Sequence, residues 1–302
     1  MMSNASIGTI GGARLKRWLD SELVAGYTFL LPYIIFVLIF LLYPMLKGFY
    51  ISFHEWNVFG DPEFIGFTNY TKLFADDKFW SSLQHTIYFV FLSTIPLVCL
   101  SLFFALGLDM PMRWRNGLRG MFFFPYLLPV SVVATLWRWI LQKEYGLLNY
   151  YLNRIGIQAP YWLGDARWAM PSIAITTVWW TIGFNIVIFL AALQDIPQQL
   201  QEAARIDGAN AGNVFWHITL PLLRPTLLFV VIMQVIASFQ IFGQVYVMTG
   251  GGPYGSTRTI VQYLYEQGFR YFKMGYASAI AYILFAIMMI FTLIQWKIME
   301  TD

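Results

Sequence analysis

The 302-residue sequence has a single cysteine, three histidines and only 12% charged residues. Cys99 alone can neither close an intrachain disulfide nor supply a thiolate cluster for a metal. His54, His85 and His217 lie far apart, and none has a metal-ligating neighbour at helical spacing, so a histidine-based metal or acid–base centre is not indicated. A basic run is also missing. The 19 Lys and Arg against 16 Asp and Glu leave a net charge of only +3, scattered along the chain, which argues against nucleic acid or another polyanion as partner. Scarce charge equally excludes an ordinary soluble domain, because 58% of the residues are hydrophobic, 19% are aromatic and the mean hydropathy is +0.59.

What the sequence has instead is long apolar runs. A bilayer core about 30 Å thick takes roughly 20 residues of helix. Runs of that size lie at 24–46, 86–108, 120–137, 169–193, 226–247 and 275–296. Backbone in lipid must satisfy its own N–H and C=O groups, and the alternation expected of membrane strands is absent, so these runs predict helices. The fold class is all-α, a polytopic membrane protein with about six transmembrane helices. The first run is too long for the apolar region of a cleaved signal peptide, and no small-residue cleavage site follows it, so it reads as a retained span behind an N-terminal segment, 1–23. Arg14, Lys16 and Arg17 before the first run, with Arg113, Arg115 and Arg119 between the second and third, place both termini in the cytoplasm. The loop between the first two runs suits the outside, with Glu55, Asp61, Glu63, Asp76 and Asp77 against Lys72 and Lys78.

None of the six runs contains Asp, Glu, Lys or Arg, whereas proton- and ion-driven carriers place such groups inside the membrane. Uphill transport by this chain therefore needs energy from elsewhere. Pro96, Pro125 and Pro129, inside the runs, read as packing kinks. The glycine-rich stretch 250–257 has no lysine after its last glycine and no buried strand before it, so it is not a nucleotide-phosphate loop.

Between the fourth and fifth runs the chain reads Glu202, Ala203, Ala204, Arg205, Ile206, Asp207, Gly208, Ala209. Residues 202–206 are good helix formers with small side chains on one side, and Gly208 can end the helix in a left-handed conformation. Pro221 and Pro225 are expected to reset the chain before the next span. A short helix, a break and a second helix follow, with small residues that permit close docking of a partner.

This segment resembles the Glu-Ala-Ala loop of binding-protein-dependent ATP-binding-cassette importers. Residues Phe124, Pro125, Pro129, Trp137, Arg138, Gly146, Leu147 and Asn149 are similar to the region around the third span of carbohydrate-importer permeases. The stretch Thr249, Gly250, Gly251, Gly252, Pro253 and Thr257, then Tyr265, Phe269, Gly275 and Tyr276, is similar to their last outer loop, of the maltose and glycerol-phosphate type. The resemblance covers nearly the whole chain. It implies a type I importer permease fold: a transmembrane domain over 24–302 whose loop 196–225 carries a cytoplasmic coupling helix, with Glu202, Ala203, Ala204, Asp207 and Gly208 facing the ATPase.

The implied partners are a homologous second permease, two ATP-binding-cassette ATPase subunits, an extracytoplasmic solute-binding protein and a sugar, in an inner membrane. No cofactor and no covalent chemistry are implied, since ATP hydrolysis belongs to the separate subunits. The sugar site of the maltose-type relatives carries onto Trp179, Trp180, Phe184, Gln234, Ser238 and Ile241. Rings that stack on sugar C–H faces beside amide and hydroxyl partners suit such a ligand. Gln234, Ser238 and Ile241 share a helical face by their spacing, and Gln240 and Gln244 form a second polar stripe directed elsewhere. A polyamine- or phosphate-type importer subunit would share the coupling loop but not the Gly-Gly-Pro loop. A proton-coupled carrier is disfavoured by the charge-free spans.

Overall fold

In the computed structural model the described residues are 22–300, with side chains described over 26–297; Arg14, Lys16 and Arg17 lie outside them. The chain opens with α1 (Glu22–Val37), a π turn (Leu38–Leu42) and α2 (Tyr43–Ser52), which run on as one rod. An antiparallel pair of two-residue strands, β1 (His54–Glu55) and β2 (Glu63–Phe64), and the short α3 (Thr68–Phe74) follow. Next comes α4 (Asp77–Asp109), whose first turn is capped by Asp76 accepting from the Lys78 N–H at 2.9 Å. After α5 (Arg115–Phe123), α6 (Val130–Ile140) and α7 (Leu147–Arg154), the long α8 (Ala166–Gln194) starts on an Asp165 cap. The remaining helices are α9 (Gln198–Ile206), α10 (Ala211–Val214), α11 (Leu220–Phe239), α12 (Gly243–Met248), α13 (Ile260–Tyr265) and α14 (Met274–Glu300). Among the described residues, five helices are long and apolar enough to cross a membrane, and one bent pair makes a sixth candidate.

Helices α4 and α8 form the spine. Leu97, Phe189, Leu190, Leu193, Leu223 and Val230 bury one apolar cluster where α11 packs on both. A second cluster joins α3, α4, α13 and α14 around Leu73, Phe79, Ile260 and Ile280. Hydroxyls inside the bundle bond the carbonyl four residues back, as Ser93 does to Phe89 at 2.7 Å and Thr176 to Ser172 at 2.9 Å. A polar atom away from water needs such a partner, and these serve without disturbing the helix ladder.

Two expected spans differ from the structure. The third, expected as one helix over 120–137, is α5 and a 3-10 turn (Phe124–Leu127) joined to α6 at an angle of 99°. Pro129 disfavours helical backbone at the residue before it, and Leu128 is extended at φ −78°, ψ 140°. Pro125 and Pro129 thus break the span rather than kink it. The fifth, expected over 226–247, is helical from Ala211 to Phe239 and ends there. Pro221 and Pro225 do not reset the chain: a π turn over Phe215–Thr219 carries α10 into α11 and accommodates the missing Pro221 donor, and α11 runs on through Pro225. Residues Gln240 to Phe242 then leave the helix before α12 begins.

Candidate functional site

Both breaks open onto one cavity of about 400 Å³ at mid-bundle. Its walls come from α8 through Thr177, Trp180, Thr181 and Phe184, and from α11 through Gln234 and Ser238. The turn before α6 adds Tyr126, the break after α11 adds Gln240, Ile241 and Phe242, and the start of α12 adds Gln244. No described residue of this lining is charged. Amides, hydroxyls and ring faces in an otherwise apolar wall suit an uncharged, hydroxyl-bearing ligand.

The broken third span positions the aromatic side. Its Leu128 carbonyl, left without a helical partner, accepts from the Trp180 indole N–H at 3.2 Å. Tyr126 stacks on Phe184 with centroids 5.0 Å apart and planes 18° from parallel. This approach requires Gly183, since a Cβ there would stand 2.0 Å from the Phe122 carbonyl oxygen. On the polar side, Gln234 donates to the Asn185 side-chain oxygen at 3.3 Å. Ser238 sits 3.1 Å from the Ser93 hydroxyl and 3.4 Å from that of Thr94, tying α11 to α4.

Of the six residues assigned to a sugar by resemblance, Trp180, Phe184, Gln234, Ser238 and Ile241 line this cavity. Trp179 does not: it packs edge-on against Trp137 at 5.5 Å, on the side of α8 turned away. Ile241 arrives by a different route from the helical face its spacing suggested, because α11 has already ended. The same break brings Gln240 and Gln244 into the lining, where a continuous helix would have directed them elsewhere. Thr177, Thr181 and Tyr126 were missed. The threonines stand four apart and share a face with Phe184, a pattern that could have found them. Tyr126 gives no such signal within its aromatic run.

At one end of the bundle, α9 projects from the body. Glu202, Ala203, Asp207 and Gly208 are exposed, and Ala204 is half-buried. Gly208 has φ +88°, and the Ala209 N–H reaches back to the Ala204 carbonyl at 2.9 Å, closing the helix as expected. Apolar Ile206 is 86% exposed beside it, and a groove of about 530 Å³ runs between α9 and the end of α4. No cluster of three or more His, Cys, Asp or Glu side chains that could hold a metal ion occurs among the described residues.

A family model of binding-protein-dependent transport system inner membrane components matches residues 97–298. The chain is 35% identical to the sulfoquinovosyl glycerol transport system permease protein of Agrobacterium fabrum, over 95% of this chain and 94% of that one. It is 36% identical to the trehalose/maltose transport system permease protein of Thermococcus litoralis, over 92% and 94%. Among solved structures, a chain of a bacterial alginate ABC transporter, crystallised with its alginate pentasaccharide-bound periplasmic protein, superposes with a TM-score of 0.81. That match covers 95% of both chains at 24% identity, which speaks for the fold.

Proposed function

This chain belongs to the binding-protein-dependent transport system inner membrane components, and from that premise we propose that it is the permease subunit of a sugar importer, with Trp180, Phe184, Gln234, Ser238 and Ile241 on the substrate path. The observation that carries this reading is the uncharged cavity at the two span breaks. Permease proteins similar to this chain are named for trehalose and maltose, for sulfoquinovosyl glycerol and for sn-glycerol-3-phosphate. A wall without Lys or Arg favours the neutral sugars among these, because an anion would enter it without a counter-charge. A second, homologous permease completes the path, two ATPase subunits drive the transporter, and loop 196–225 couples this chain's transmembrane domain, 24–302, to the ATPase. A helix held rigidly at the membrane surface transmits a rigid-body motion as a flexible linker cannot.

Gln234→Leu with Ser238→Ala is the test of the path. Ser93 keeps its bond to Phe89 when the Ser238 hydroxyl goes, so its own buried hydroxyl is not left without a partner. Each hydrogen bond lost to a sugar hydroxyl costs about 1 kcal/mol, so uptake at limiting sugar falls about tenfold or more. Initial uptake rates in reconstituted vesicles check it, and unchanged rates remove both residues from the path.

Orientation follows from the basic flanks, with both termini cytoplasmic. In a chain with Cys99 replaced by Ser, a cysteine at exposed Asp61 is labelled by an impermeant thiol reagent added outside intact cells. One at exposed Asn116 is shielded until the membrane is opened. The reverse labelling overturns the topology.

A further inference from the structure

A second cavity, of about 550 Å³, lies between the first hairpin, α3, α13 and the start of α14, and shares no lining residue with the first. By the proposed orientation it opens outside the cell. Its one inward carboxylate, Asp76, is already occupied: it accepts from the Tyr263 hydroxyl and, at 2.7 Å, from the Tyr276 hydroxyl, besides capping α4. Burial alone would raise the Asp76 pKa, but these donors hold it below the usual carboxylate range. Burial pushes the Tyr263 hydroxyl upward, so it stays a donor. Around this fixed centre stand Lys72, Lys78 and Lys273, whose ammonium groups make no ion pair or hydrogen bond with another described residue. Glu55 is the other carboxylate of the lining, and buried Gln267 contributes a side-chain amide that bonds no other described residue.

We infer that this lysine-ringed cavity is a docking socket for an acidic side chain of the solute-binding protein. The inference rests on the importer reading above. Three ammonium groups against the carboxylates of Asp76 and Glu55 leave the lining an excess of one positive charge, and since the ammonium groups are not ion-paired with any described residue, an incoming anion gains charge-assisted hydrogen bonds while displacing no internal ion pair. The anion is not the cargo's. A charged sugar held here would next enter a cavity whose lining offers no cation. The floor of the socket is firm, because Asp76 ties α4, α13 and α14 together and Asn69 bonds the Ser52 and His54 carbonyls at 2.9 and 3.0 Å. A partner lobe held there therefore pulls on three elements at once.

The test is Lys72→Glu with Lys78→Glu in the complete transporter, reconstituted in phosphatidylcholine vesicles. ATP hydrolysis is followed against the concentration of the sugar-loaded binding protein that drives uptake by the wild-type complex. Rim charges act mainly on encounter, so the concentration for half-maximal stimulation rises about tenfold and the maximal rate holds. Added salt weakens the wild type and partly restores the charge-reversed variant, whose repulsion of the partner it screens. A lysine replacing the matching acidic residue of the binding protein restores the variant. An unshifted half-maximal concentration overturns the inference, as does a fall in maximal rate alone. An effect confined to vesicles containing phosphatidylglycerol means a lipid headgroup fills the socket and overturns it too. A wild-type complex that no loaded binding protein stimulates overturns the importer reading itself.

Discussion

Gly208→Val combined with Ala203→Trp abolishes the stimulation of ATP hydrolysis by loaded binding protein, while the permease remains inserted and folded. Both positions are exposed, and a Cβ at Gly208 would meet nothing within 4 Å, so neither change disturbs the bundle. The φ of +88° is another matter. A β-branched residue resists that conformation by about 1–2 kcal/mol, enough to unwind the turn that sets the angle of α9. Tryptophan at Ala203 puts bulk on the small-residue face that would enter a cleft of the ATPase. Glu202→Ala is milder, because an exposed ion pair contributes only about 0–1 kcal/mol. The measurement is substrate-stimulated hydrolysis in vesicles containing the full complex, with permease recovery followed by gel filtration. Full stimulation of the double variant sinks the coupling assignment of Glu202, Ala203, Ala204, Asp207 and Gly208.

Gly183→Ala destabilises the permease and distorts the wall of the first cavity. The added Cβ would stand 2.0 Å from the Phe122 oxygen and 2.7 Å from the Phe123 Cα, both backbone atoms with no rotamer to yield. Ordinary contact begins near 3.4 Å, so α5 must retreat from α8 by more than an ångström. Overpacking of this kind costs about 1–3 kcal/mol, with a corresponding fall in melting temperature. The retreat also displaces the turn that carries Tyr126 and the Leu128 carbonyl, so Trp180 and Phe184 lose their partners. Gly107→Ala is the control, since a Cβ there meets nothing within 4 Å. Equal melting temperatures for the two variants in detergent would show that the close approach does not hold the broken span in place.

Hydropathy located the apolar runs because that signal is composition summed over a window, and composition is what a bilayer selects. It carries no direction. Residues 115–140 are apolar enough to pass as a span whether straight or bent by 99°. The bend follows from Pro125 and Pro129 acting together across Leu128, where a single proline such as Pro96 leaves α4 continuous. The end of α11 at Phe239 was hidden for a similar reason: Gln240 to Phe242 have neither proline nor glycine to mark it. The resemblance to importer permeases pointed to five residues that line the cavity, since their chemistry is local. It pointed also to Trp179, because adjacent tryptophans look alike in a sequence while pointing about 100° apart around a helix. The second cavity was illegible, as Lys72, Asp76, Tyr263 and Lys273 meet only through the folding of distant segments.

The uncharged wall at the span breaks has an electrical consequence. A sodium ion or a hydronium ion entering between Tyr126, Thr181, Gln234 and Gln244 gives up bulk hydration for neutral dipoles. Stripping an ion of water without a counter-ion costs several kcal/mol. A neutral polyol trades its hydration for hydroxyl and amide partners at little net cost. On this chain's side, the proposed path can therefore open to a bulky solute while still opposing the entry of ions.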